Sequence, residues 1–282
     1  MVARAERQEA GGITDALAPL FGLEGIDLPV APFARLGDYG TPDDGWWMRA
    51  DPVHLAPDRD QLVLMPESML HVTPEEARAL MEAFDEAFAS DDLHLEFPMP
   101  ARGYLRCPAP FDVTTYDPAP FVGGSVFEGM PVGADAPRLK LFMNEIQMLF
   151  HAHHVNSARE EAGQPTINAL WLWGGGSMPA FTGIAPTEVI TDLPLVRGLA
   201  LWAGQEPVVP NRNIIWRPGN LFAFPARDVK TLERDWFDIL LRELVYGDVL
   251  ELHMHLGGLG SYVLDRRCAQ RFWRRGHPLV AS

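Results

Sequence analysis

The sequence predicts an α/β fold, with mixed α+β as the alternative, in which a mixed sheet is flanked by helices. Three observations predict it. Short apolar runs bounded by Pro, Asp and Gly alternate with segments of helical period along most of the chain. One segment opens with a complete helix-capping signature, Thr73-Pro74-Glu75-Glu76. Finally, 47% of the 282 residues are hydrophobic, enough for a substantial core.

Residues 1–45 mix Gly, Pro, Asp and Ala with little period and predict an irregular N-terminal arm. A single α/β domain is expected over 46–282, with the Pro- and Gly-rich stretch 108–137 as the place for a sub-boundary. WWMRADPVHL and QLVLM, separated by the turn-like APDRD, predict the first strands. After Thr73 caps the next segment, Pro74 suits a first helical position and Glu76 completes the capping box, so a helix runs to about Ala89. LHLEF and GYLRC follow as strands.

From Leu139 the apolar positions Phe142, Met143, Ile146, Leu149, Phe150 and His153 recur at helical spacing, predicting one helix that ends before Gly163. INALWLW predicts a strand that stops at Gly174-Gly175-Gly176. PLVRGLALWAG reads as a helix, NIIW and NLFAF as strands, and Asp228 as the cap of a helix burying Val229, Leu232, Trp236, Leu240 and Leu244. VLELHMHL alternates with period two, and DRRCAQRFWRR reads as a final helix.

A formal net charge of −15 disfavours a nucleic-acid partner, because the average surface repels polyanions. Cys107 and Cys268 fit neither a disulfide framework nor a CxxC zinc site, and the opening residues lack the apolar core of a signal peptide. No apolar run is long enough to span a bilayer, so no membrane partner and a cytoplasmic location are expected.

Four features offer chemistry. His151 and His154 stand three apart on a predicted helix, and His253 and His255 project from one face of a predicted strand, so the four are candidate metal ligands; packed core histidines are the competing reading. Gly174, Gly175, Gly176 and Ser177 form a predicted turn whose amides could approach an anion, although a P-loop ending is missing. Arg266, Arg267, Arg271, Arg274 and Arg275 form a basic cluster, suited to anions or to a solvated helix face. Nucleophile-elbow, HExxH and GxGxxG patterns are absent.

His154-Val155-Asn156, Arg159, Gly163 and the run Ile167 to Gly176 resemble the HPVN, R, G and ANAIWLWGxG signature of archaeal-type cofactor-independent phosphoglycerate mutases, a likeness carried mainly by His151 to Gln205. From Trp46 onward, WWMRADPVHL, NEIQMLFH and RFWRR resemble RpfE-type bacterial regulatory proteins. The first resemblance implies an alkaline-phosphatase-like relative; the family's two-metal site uses an early Asp, a Ser nucleophile and late Asp and His ligands. Where those late ligands would fall, this chain has ELHMHLGGLGSY, which implies a relative lacking the metal site.

The expectation is therefore a non-catalytic regulatory or binding protein. Asn156, Arg159, Asn168 and Gly174 to Ser177 would bind a small phosphorylated or carboxylated metabolite, and no cofactor is expected. The alternatives are a metal-dependent phosphoryl-transfer enzyme or hydrolase using a divalent metal on the four histidines, and a module that binds a protein partner through its N-terminal arm or arginine-rich end.

Overall fold

A computed structural model describes residues 6–8, 12–59, 61–210, 217–224, 236–246, 249–256 and 261–270. In chain order the strands are β1 (Glu6–Gln8), β2 (Trp46–Val53), β3 (Leu55–Asp58), β4 (Gln61–Leu64), β5 (His94–Met99), β6 (Arg102–Cys107), β7 (Ala169–Gly176), β8 (Glu188–Thr191), β9 (Asn220–Ala223), β10 (Glu251–His255) and β11 (Ser261–Asp265). The helices are α1 (Ile13–Leu17), α2 (Val30–Tyr39), α3 (Pro74–Ala87), α4 (Ala136–His151), α5 (His154–Glu161), α6 (Pro194–Trp202), α7 (Asp238–Tyr246) and α8 (Arg266–Ala269). The chain is thus α/β with sheets flanked by helices, and it divides into two compact units: 29–179, and 1–28 together with 180–282.

In the unit 29–179 the sheet runs β5-β6-β2-β7, and every pairing is antiparallel. Alternation sends Met48 and Ala50 of β2, Leu95 of β5, Leu105 of β6, and Leu170 and Leu172 of β7 into one apolar core. Leu80 and Phe84 of α3, Leu139, Ile146 and Phe150 of α4, and Val155 of α5 cover that face. Phe84, fully buried, packs on Phe88 at a ring separation of 4.7 Å, so Phe84→Ala would leave a cavity costing about 3–5 kcal/mol.

The Thr73 capping box forms as expected. Thr73 Oγ1 accepts the Glu76 N–H at 3.2 Å, and a Glu76 carboxylate oxygen accepts the Thr73 N–H at 2.8 Å.

The opposite face of the sheet lies under α2, and here the structure differs from the irregular arm expected over 1–45. Val30, Ala31, Phe33, Ala34 and Leu36 of α2 are buried. Pro32 lies in the first turn, where its missing N–H forfeits no helical bond, and Gly40 closes the helix at φ 72°, its N–H donating to the Leu36 carbonyl. Earlier in the arm Leu17, Phe21 and Leu23 are also buried.

Two further expectations change. The helix expected from Leu139 through His153 is broken: α4 ends at His151, and His153 adopts an extended backbone as the cap of α5, its Nδ1 accepting the Val155 N–H at 3.3 Å. The strand expected to stop at the three glycines continues through them, with Gly176 paired to Trp47 and a bulge at Gly174–Gly175 of β7 opposite Met48. Gly174–Gly176 are therefore strand and not a free turn.

In the other unit, β1-β11-β10 form an antiparallel sheet, and β8 and β9 pair in parallel. Leu244, Met254, Tyr262, Leu264 and Cys268 build its core, with Leu252 and Leu256 packed against it, so the alternation expected around β10 holds from Leu252 to Leu256, while Leu250, expected on the same side, is exposed. Trp236, Leu240 and Leu244 are buried beside or on α7; Asp228, Val229 and Leu232, like NIIW, lie outside the described residues.

Candidate functional site

Three residues expected to hold a ligand are occupied by the protein itself. Asn156, 1% exposed, donates through Nδ2 to the carbonyls of Phe150 and Ile167, both at 2.8 Å, and accepts the Ile167 N–H at 2.7 Å. Its amide thereby clamps the end of α4 to the chain entering β7. Asn168 pairs both ways with the Leu55 backbone, at 2.8 and 2.9 Å, and joins β7 to β3.

Arg159, 3% exposed, has a third set of partners. Nε donates to the Pro165 carbonyl at 2.8 Å, Nη1 lies 2.9 and 3.0 Å from the two Glu76 oxygens, and Nη2 donates to the Leu70 carbonyl. Its donors are directed inward, so these side chains build the site and do not face a ligand.

The glycines serve close packing. A Cβ on Gly174, which has φ 61°, would lie 2.8 Å from Val30 Cβ; one on Gly175 would meet the Trp46 ring, and one on Gly176 would meet Pro29. The Gly174 N–H donates to Thr115 Oγ1 at 3.0 Å, and Ser177 is exposed. An anion cradle built on the Gly174 amide is therefore not what the structure contains.

The histidines are no better grouped. His151 and His154 are exposed, and His154 lies against His153 with ring centroids 4.2 Å apart. Burial, then the neighbouring His154, lowers the His153 pKa. In the other unit His253 meets Glu251 at 2.5 Å, and His255 Nδ1 lies 2.7 Å from Ser261 Oγ, an exchange with its own sheet. Among the described residues no three His, Cys, Asp or Glu side chains form a group that could hold a metal ion. Of the arginine cluster, Arg266 and Arg267 lie exposed on α8, and Arg271, Arg274 and Arg275 lie outside the described residues.

What the sequence reading missed is a layer of charge between α2 and the sheet. Arg35 of α2 forms a bidentate pair with Glu96 of β5 at 2.8 and 3.0 Å and stacks over Trp47. Asp38 receives Arg102 of β6 at 2.8 Å on each oxygen, and also the Tyr104 hydroxyl at 2.7 Å. Burial, reinforced by Asp38, pushes the Tyr104 pKa up, so the phenol stays a donor. Tyr39 is likewise raised, to about 12, by burial and then by Glu96.

Arg49 of β2 is the member of this layer with capacity left over. Its Nη2 lies 2.5 Å from Asp51 Oδ1, while the Trp173 indole N–H donates to Asp51 Oδ2 at 2.7 Å. The guanidinium sits over the rings of Tyr104 and Trp173, at 5.4 and 5.3 Å. Burial alone would lower its pKa, but Asp51 and the other anionic neighbours raise it, so Arg49 is a fixed cation. Its Nε is enclosed without a partner, and Nη1 has none among the described residues.

Arg49 lines a cleft of about 370 Å³, within the size range of small-molecule sites, with Arg102, Glu67, Ser68 and His71. One wall is the segment Glu67–Val72, in which His71 holds φ 45°, a strained backbone for a residue with a side chain. Arg159 grips that wall at Leu70, so the motif residue acts on the cleft by position. A sequence signal for the site existed: Arg49 and Asp51 are two apart in an otherwise apolar strand and so share a face.

No family model matches the chain. It is 30% identical over 173 residues to a probable 2,3-bisphosphoglycerate-independent phosphoglycerate mutase of Geobacter sulfurreducens, covering 57% of this chain and 42% of that protein. To the 2,3-bisphosphoglycerate-independent phosphoglycerate mutase of Methanosarcina barkeri it is 26% identical over 153 residues, covering 49% of this chain and 36% of the relative. Among solved structures, the cofactor-independent phosphoglycerate mutase of Thermoplasma acidophilum aligns at a TM-score of 0.46 and 15% identity, over 93% of this chain and 78% of that one.

The likeness to phosphoglycerate mutases thus extends over about half of this chain, further than His151 to Gln205. The chain spans roughly two-fifths of the length of the curated relatives it matches.

Proposed function

We propose that this chain is a phosphoglycerate-mutase-related binding protein that takes a small carboxylated or phosphorylated metabolite in the Arg49 cleft without transforming it. The observation that carries this reading is Arg49 itself, a permanently charged guanidinium with one nitrogen engaged and two unclaimed, in a cleft with a hydroxyl and a second arginine. Arg is the side chain best suited to planar anion recognition, and Nη1, without a partner among the described residues, is the N–H that an acceptor in the cleft can take. The binder reading is supported by the motif residues Asn156, Arg159 and Asn168, whose polar groups hold the scaffold. A regulatory role agrees with the RpfE-type resemblance, and a cytoplasmic location with two buried cysteines that form no disulfide.

Titration calorimetry with D-glycerate and D-3-phosphoglycerate tests it. Heat is expected from at least one ligand with the native chain. It should be lost in Arg49→Met combined with Asp51→Asn, a pair chosen so that no buried carboxylate is left uncompensated. No heat from either ligand would overturn the reading.

The names of the relatives favour a second reading, a phosphoryl-transfer enzyme of mutase type. Two-metal transfer needs grouped carboxylate and histidine ligands. Stoichiometric metal in untagged protein, together with phosphoglycerate isomerisation, would select this reading over the first.

A further inference from the structure

Resting on the reading of the Arg49 cleft as a small-anion site, we infer that its ligand is a zwitterion, a small carboxylate that also carries an ammonium group, and not a phosphate ester. The charges around the cleft set this preference. Each of its two arginines is already answered by a carboxylate behind it, Arg49 by Asp51 and Arg102 by Asp38. Glu67, which also lines the cleft and is exposed, has no cation paired to it among the described residues. Counting Asp51 and Asp38 against the two arginines leaves Glu67 as an uncompensated negative charge of the lining.

A phosphomonoester brings close to two negative charges at neutral pH, and Glu67 and a strongly acidic chain both oppose it. A carboxylate brings one. It can take the free Nη1 edge of Arg49, and an ammonium group on the next carbon would answer Glu67, with Ser68 available as a neutral partner. The bidentate Asp38–Arg102 pair leaves Arg102 little capacity to act as a second anion clamp, which is what a ligand with separate phosphate and carboxylate groups would require.

Four ligands of one carbon skeleton separate the possibilities: L-serine, L-glycerate, D-glycerate and D-3-phosphoglycerate, titrated calorimetrically into the full chain. L-Serine differs from D-glycerate in carrying an ammonium group in place of the C2 hydroxyl and in configuration at C2, so L-glycerate is titrated beside it as the matched hydroxy acid; phosphoglycerate adds the phosphate to D-glycerate. The expected order of affinity is serine, glycerate, phosphoglycerate. Glu67→Gln, a change at an exposed side chain, should weaken serine about fivefold, the most an exposed ion pair supplies, and leave glycerate unchanged or tighter. Phosphoglycerate binding tightest, or serine and L-glycerate binding alike, would overturn the zwitterion inference and leave the small-anion reading standing. Silence from all four ligands would remove both.

Discussion

Arg159 and Glu76, 83 residues apart in sequence, meet with Nη1 2.9 and 3.0 Å from the two carboxylate oxygens, and Glu76 is at the same time the capping-box residue of α3. One carboxylate thus starts a helix and neutralises a buried arginine. Glu76→Ala should cost about 3 kcal/mol, because it removes the cap and leaves Arg159 enclosed without its anion. Glu76→Gln should cost less, since an amide oxygen still accepts from Thr73. Urea denaturation of the two variants checks the order, and equal losses would show that the charge on Glu76 is not what matters.

Asn156 makes three hydrogen bonds to buried backbone groups. Asn156→Ala would leave the Phe150 and Ile167 groups unanswered, at an expected cost of at least about 2 kcal/mol. Asn156→Asp should be nearly as damaging, because a carboxylate cannot donate to the two carbonyls. Hydrogen exchange at the Ile167 amide should report the same lesion locally, with faster exchange in both variants.

At Gly174 two penalties add. The φ of 61° disfavours any side chain, and a Cβ would come within 2.8 Å of Val30 Cβ. Gly174→Ala should therefore destabilise by about 1–3 kcal/mol. Adding Val30→Gly, which removes the clashing Cβ, should recover only the steric share when measured against Val30→Gly alone. Full recovery in the double variant would show that the backbone conformation carries no strain.

His153 predicts a pH dependence. Its neutral Nδ1 accepts the Val155 N–H at the start of α5, and burial with the adjacent His154 lowers its pKa from the ordinary 6.5. The unfolded chain then binds a proton that the folded chain resists, so stability rises with pH across this range. The contribution is intact above about pH 6.5 and is lost as pH falls through the lowered value. His153→Asn, which keeps a capping acceptor without the titration, should flatten this part of the stability profile; an unchanged slope would assign the dependence to other groups.

Local rules made much of the fold legible. The capping box before α3, the alternation of β10, and the apolar face of α4 each lie within a dozen residues and rest on local spacing alone. The failures have a common physical source in tertiary contacts. The glycines of β7 read as a turn because the reason for them, the approach of α2 and Trp46, lies more than a hundred residues away. The segment of α2 read as irregular because Pro32 and Gly37 break the helical pattern without breaking the helix.

The candidate site suffered most. Asn156, Arg159 and Asn168 were conspicuous as polar residues in a motif, but their partners are distant backbone groups, and a sequence does not distinguish a polar side chain that faces a ligand from one that ties two segments together. Arg49 was unremarkable in WWMRADPVHL, and its significance arises from Asp51, Tyr104 and Trp173 converging across three strands.

The Arg49 site is tested most directly at the Trp173 indole, whose N–H donates to the carboxylate that pairs with Arg49. A ligand carboxylate on Arg49 must redistribute the Arg49–Asp51 pair and so shift the indole proton resonance of Trp173, assigned among the 8 tryptophans by Trp173→Phe. Titration with L-serine followed by proton–nitrogen correlation spectra should move that resonance along a saturable curve, with the other indole signals nearly still. A Trp173 resonance that stays fixed while the calorimeter records binding would place the ligand elsewhere and contradict the assignment of the cleft.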